Sequence, residues 1–213
     1  MKNRFAMRQS GFTLVEIAIV LVIIGLLLGG VLKGQELIKS AKVKSYKTTV
    51  DAVASSYHSY LDRYRSLPGD DTGATTRFPV ANFPNVANGN GNGLVGGAWN
   101  SVTLADESNQ FFMHLVAAGF LRGDPNAATA QEMKPKGPNG EILGVGNNLN
   151  GASGLSVCFQ NTNGEYAELF DLAYDDGRPG SGTIRVANNP ALASYTALSA
   201  TYKTTTYNLC TQL

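Results

Sequence analysis

Cysteine, histidine and tryptophan are scarce in this chain: two Cys, two His and one Trp among 213 residues. Cys158 and Cys210 stand at neither C-x-x-C nor zinc-ligand spacing, so thiol redox and metal chemistry have weak support. His58 and His114 have no Ser or Cys partner in a recognisable motif, and no nucleotide, zinc or nucleophile-elbow signature occurs. The sequence therefore points away from an enzyme. Charge is also low, at 15% against roughly 25% in ordinary soluble domains. With 17 basic and 16 acidic residues, net +1, the charge balance argues against a protein that coats nucleic acid, and a nucleic-acid partner is not expected. Proline is absent until Pro68 and acid until Glu16, whereas Lys2, Arg4 and Arg8 crowd the first ten residues.

What is present first is a long apolar run. Phe12 to Leu32 reads FTLVEIAIVLVIIGLLLGGVL, and its 21 residues as a helix span roughly 31 Å, enough to cross a hydrocarbon core of ~30 Å. The run is longer than the apolar region of a cleaved secretory signal and shows no clear A-x-A site. A plain signal anchor is the other ordinary reading. Glu16 complicates both, because a carboxylate inside an apolar span costs about 2.5–3.5 kcal/mol on insertion scales.

The stretch Gly11-Phe12-Thr13-Leu14-Val15-Glu16, behind a short basic leader and ahead of the apolar run, resembles the processing site of type IV pilins and type II secretion pseudopilins. The resemblance is close over residues 8–45 and only architectural beyond them. It implies that a prepilin peptidase/N-methyltransferase cuts between Gly11 and Phe12 and methylates the new Phe12 amine. It also gives Glu16 a role, pairing with the Phe12 amine of a neighbouring subunit where water cannot compete; a protonated or headgroup-hydrated carboxylate is the alternative. The implied partners are other pilin or pseudopilin subunits and an inner-membrane assembly platform. The implied location is a single pass of the inner membrane, amino terminus cytoplasmic and head periplasmic, followed by a periplasmic or cell-surface filament. Counting positive charge alone suggests the reverse orientation, since Lys33, Lys39, Lys42, Lys44 and Lys47 outnumber the leader's cations. The chain departs from the family where many pilins carry a proline in the apolar segment. Gly25, Gly29, Gly30 and Gly34 stand there instead, and either loosen the helix or, at G-x-x-x-G spacing, admit close helix contact.

Beyond residue 33 the apolar positions Val43, Tyr46, Val50, Val53, Tyr57, Tyr60, Tyr64 and Leu67 advance in steps of three and four, a one-sided helical stripe. This predicts one helix from Thr13 to Arg65, ended by Leu67-Pro68-Gly69-Asp70, with the stripe against a sheet rather than in a coiled-coil seam. The lysines from 33 to 47 read as a solvated face. Residues 68–101 read as loop, with Asn-Gly repeated three times at 88–93 and no P-loop lysine to make it a phosphate cradle. A short helix is expected over 104–118 with Phe111, Leu115 and Ala118 on one face and Gly119 as its cap. Candidate strands follow at 140–145, 154–160, 182–187 and 204–210, with helix signals fading after the short helix. Fold class is thus α+β and pilin-like: leader 1–11, membrane and assembly helix 12–34, amphipathic continuation 35–67, and a small antiparallel head over 68–213.

In an oxidising periplasm Cys158 and Cys210 would pair, and a carboxy-terminal disulfide resembles the arrangement in many pilins. Asp171, Asp175 and Asp176 around a glycine turn suit Ca²⁺, which some pseudopilins hold before their last strands; a polar turn capped by its own aspartates is the ordinary reading. Trp99 reads as a packing residue. Three functional readings follow: a pilin or minor pilin of a type IV pilus-like filament, a type II secretion pseudopilin, or a filament-displayed module binding DNA, surfaces or cargo.

Overall fold

A computed structural model describes residues 13–186, 194–195 and 199–213. The architecture is α+β: a long amino-terminal helix packs on a four-stranded antiparallel sheet. Helix α1 runs without a break from Leu14 to Tyr64. The chain divides into two units after Ala41, each taken in turn.

In the first unit the described chain is the opening part of α1. Its apolar side chains stand exposed, from Leu14 to Ile38. The helix passes through Gly25, Gly29, Gly30 and Gly34, and a methyl group at any of them would meet no atom within 4 Å. Intrahelical bonds satisfy every interior peptide group, which is what an apolar medium demands of a backbone.

In the second unit, Lys42–Leu213, the tyrosine stripe is the helix's buried edge. Val43, Tyr46, Val50, Val53 and Tyr60 are in the core, and Tyr57, Tyr64 and Leu67 are partly buried against it. Tyr46 meets Phe159 edge-on, with ring centroids 4.9 Å apart. The helix stops at Tyr64 because Arg65 turns left-handed (φ 55°), one residue ahead of the expected end and four before Pro68.

Two short helices, α2 (Ala74–Arg77) and α4 (Ala130–Met133), flank α3 (Glu107–Ala117). Helix α3 is not one-sided as expected: every residue from Ser108 to Val116 is buried, polar ones included. Gly119 caps it at φ +75°, with its N–H bonded to Val116 O (3.0 Å) and the Phe120 N–H to Leu115 O (3.0 Å).

The sheet comprises β1 (Leu143–Asn147), β2 (Leu155–Asn163), β3 (Ile184–Val186) and β4 (Thr206–Gln212) in the order β1-β2-β4-β3. All four expected strands exist, with bounds displaced by up to three residues. Helix α5 (Gly164–Tyr174) corrects the expectation that helices end after α3. Its periodic signal is brief, since only Ala167, Phe170 and Asp171 face inward after the initial Gly164. A local cap starts it, the Asn163 side chain accepting from the Glu165 N–H at 2.9 Å. Gly144 and Gly146 leave room on β1 for Trp99, since a Cβ on Gly144 would lie 2.0 Å from the Trp99 carbonyl oxygen.

Candidate functional site

Gly11 and Phe12 lie outside the described residues. Glu16 occupies the first turn of α1 and is exposed. Its Oε2 accepts from the Thr13 N–H (2.9 Å) and the Thr13 hydroxyl (2.8 Å), while its own N–H donates to Thr13 Oγ1 (3.3 Å). This reciprocal Thr-x-x-Glu arrangement is a capping box, and it places a carboxylate at the positive end of the helix. Behind Glu16 the helix is long and apolar enough to cross a membrane. Between the two charges Glu16 and Lys33 the side chains are uncharged throughout.

Residues 6–32 match the family model described as the prokaryotic N-terminal methylation motif. This is a prepilin-type amino terminus. The match agrees with the type IV pilin and pseudopilin family, points to a structural rather than a catalytic protein, and implies prepilin-peptidase processing and assembly with other pilin subunits. Together with the apolar helix it fits membrane anchoring. No curated protein and no solved structure matches the chain.

In the precursor's second unit, Cys158 and Cys210 form a disulfide directly across the β2–β4 register. Closing a separation of 52 residues contributes about 4 kcal/mol in the loop-entropy model. Replacing both cysteines with alanine is expected to lower unfolding free energy by about 2–4 kcal/mol, read from denaturant titration.

The structure brings Asp171, Asp175 and Asp176 together, with ligand oxygens within 4.8 Å of one another. Asp171 is fully buried at the end of α5 and accepts from the Gly177 N–H (3.1 Å) and the Tyr195 hydroxyl (2.9 Å). Asp175 accepts from the Ile184 N–H (2.7 Å), and Asp176 from the Arg178 N–H (2.9 Å) and the Ser181 hydroxyl (2.6 Å). Burial first, then the neighbouring Asp175 and Asp176, push the Asp171 carboxyl up to about 6. The Ala167 carbonyl, 3.0 Å from the Tyr195 oxygen, lets the phenol donate there when a protonated Asp171 donates to the phenol.

The residues that motif reading missed are polar ties beneath the 68–96 loops. His114 is fully buried. Its Nδ1 accepts from the Gly69 N–H (2.9 Å), and its Nε2 lies 2.8 Å from the Ala87 carbonyl, which can only accept, so Nε2 carries the proton. Glu107 takes the N–H groups of Asn90 (2.8 Å) and Gly96 (2.7 Å). Gln110 takes the Ala87 N–H (2.9 Å). A run of Ser108, Asn109 and Gln110 in an otherwise apolar helix was the available signal, because buried polar side chains require partners. His58 is exposed on α1.

Burial lowers the His114 pKa below its ordinary 6.5. The unfolded chain therefore binds this proton first, and stability falls as pH drops through 6.5, by at most about 1.4 kcal/mol per pH unit. Asp171 acts oppositely. Its raised pKa favours the folded state as pH falls through about 6. The two terms offset one another in mildly acidic solution. An Asp171→Asn variant is expected to lose the compensating term and so to show the steeper acid decline in denaturant titrations between pH 7 and 5.

Proposed function

We propose that this chain is a structural subunit, pilin or minor pilin, of a type IV pilus-like filament. The observation that carries the proposal is the methylation motif joined to a continuous helix whose apolar stretch, residues 14–32, holds one carboxylate, Glu16, in its first turn. In this reading residues 1–11 are removed at Gly11. The Phe12 amine is methylated, and residues 12–34 anchor the subunit in the inner membrane until an assembly platform extracts it. The amphipathic continuation, residues 35–67, and the rest of the chain, 68–213, then face the periplasm or the cell surface. The mature chain has 202 residues and a net charge of −2, so the precursor's +1 resides in the leader.

The test is the mass and amino-terminal sequence of the chain recovered from sheared filaments. A methylated Phe12 as first residue supports the reading. An intact Met1, a different cut, or absence of the chain from filaments overturns it. Abundance in the same fraction separates a bulk subunit from a minor one, and recovery only from a secretion apparatus favours the pseudopilin assignment.

The Asp171–Asp175–Asp176 loop supports a second, subordinate reading. Three oxygens within 4.8 Å, one on a carboxyl whose proton affinity its neighbours raise, are a ligand set a divalent cation would neutralise. Calorimetry of the full chain in detergent with millimolar Ca²⁺ decides it. Heat that disappears in Asp175→Asn supports calcium, and no heat leaves the trio as a self-capped turn.

A further inference from the structure

Asn-Gly is the dipeptide most open to spontaneous loss of its side-chain amide, because glycine leaves the following nitrogen unshielded. This chain places three in succession: Asn88-Gly89, Asn90-Gly91 and Asn92-Gly93. The fold cannot exchange these glycines freely. A Cβ on Gly89 would lie 2.3 Å from the Asp70 backbone, one on Gly91 would lie 2.8 Å from Thr72 Cγ2, and Gly91 and Gly93 hold φ of +73° and +83°. The hazard is thus a consequence of the loop's geometry.

The same geometry disposes of it. The glycine nitrogens that would act as nucleophiles are all committed as hydrogen-bond donors. Gly91 N–H donates to Asp70 Oδ1 (2.6 Å) and is 3.2 Å from the Asp70 carbonyl; Gly93 N–H donates to Asp70 Oδ2 (2.7 Å). Asn92 N–H adds a third contact to Asp70 Oδ1 (3.1 Å). Gly89 N–H is held differently, by the Asp71 backbone carbonyl (3.0 Å). Asp70 itself is buried, 5% exposed, so water competes poorly for its oxygens.

We propose that Asn90 and Asn92 are latent self-modification sites and that the Asp70 carboxylate is the lock that keeps them closed. In the reaction the Gly91 or Gly93 nitrogen gives its proton to solvent and attacks Cγ of the preceding asparagine. The new C–N bond closes a succinimide, the Cγ–Nδ2 bond breaks, and ammonia leaves. Water then opens the ring to aspartate or isoaspartate. With its N–H directed at Asp70, the nitrogen keeps both its proton and its peptide plane, and neither is free to turn towards Cγ.

The experiment incubates the full chain in detergent at mildly alkaline pH and follows each asparagine by peptide mass spectrometry. Native Asn90 and Asn92 are expected to convert about tenfold or more slowly than in the urea-unfolded chain, the factor one hydrogen bond to a charged group carries. Asp70→Ala is expected to accelerate both by a similar factor and to leave Asn88 nearly unchanged. Asp70→Asn, which keeps one acceptor oxygen, is expected to accelerate one of the two and not both. Equal rates in native and unfolded chain overturn the proposal. So does an Asp70→Ala rate no faster than wild type, or equal acceleration at all three asparagines, which would mean a melted loop rather than an opened lock. If Asp70→Ala does not fold, the Asp70→Asn asymmetry decides.

Discussion

Replacing Glu16 with valine is expected to remove the chain from filaments while leaving it in the membrane. An apolar span tolerates valine better than a carboxylate, by about 2.5–3.5 kcal/mol on insertion scales, so membrane insertion should be unimpaired. Assembly should suffer because, in the proposed reading, the carboxylate's cost is offset only when a neighbour's Phe12 amine pairs with it. Loss of such a pair at about 3 kcal/mol corresponds to roughly a hundredfold weaker docking per contact. The substitution also breaks the cap with Thr13, so the companion variant is Thr13→Ala. That change removes the hydroxyl partner at 2.8 Å and leaves the carboxylate in place. Caps are worth about 1 kcal/mol, and incorporation of Thr13→Ala should stay near normal. Immunoblots of membrane and sheared-filament fractions read both variants. Normal incorporation of Glu16→Val, or equal loss in Thr13→Ala, defeats the pairing.

Asp71→Ala is expected to cost about 3–5 kcal/mol of folding stability, the range for breaking a buried charged cluster by removing one member. Asp71 is 2% exposed. It accepts from the Tyr60 hydroxyl (2.6 Å) and the Gly73 N–H (2.9 Å) and pairs with Arg77. Burial opposes its charge, but Arg77, Tyr60 and Gly73 outweigh that and hold its carboxyl below the ordinary range. A depressed carboxyl adds stability above its unfolded pKa of about 4, lost as pH falls below that. Removing Asp71 strands the hydroxyl of Tyr60, a fully buried residue of α1, and frees the loop that carries α2. Tyr60→Phe alone should cost about 1.5–3 kcal/mol, one hydrogen bond to a charged group. The double variant should cost less than the sum of the singles, because both delete one interaction. Denaturant titration of the full chain in detergent measures all three. An Asp71→Ala cost under about 1 kcal/mol would show that the cluster contributes little.

Periodicity made α1 legible because 3.6-residue spacing is a local property: Val43 through Tyr60 had to share a face wherever the partner lay. Strand positions were legible to within a few residues for the same reason. Helix α5 was not, since an initial glycine and three inward positions carry too little period to outweigh a polar surface. The burial of the polar α3 residues was not legible because a local pattern does not show that loops from residues 69–103 descend on Ser108, Asn109, Gln110 and His114 and supply partners.

The sequence by itself determined the processing motif, the apolar run from Phe12 to Leu32 with its single carboxylate, the buried tyrosine edge and the α+β class. Each depends on residues adjacent along the chain or one helical turn apart. Only the tertiary structure decided that Cys158 faces Cys210, that three aspartates converge, and that Asp70 and Asp71 hold the Asn-Gly loop and α1 together. Apart from the aspartates, which lie within five residues of one another, these are meetings between segments 11 to 52 residues apart, where chain closure sets no preference and the packed core selects the pairing.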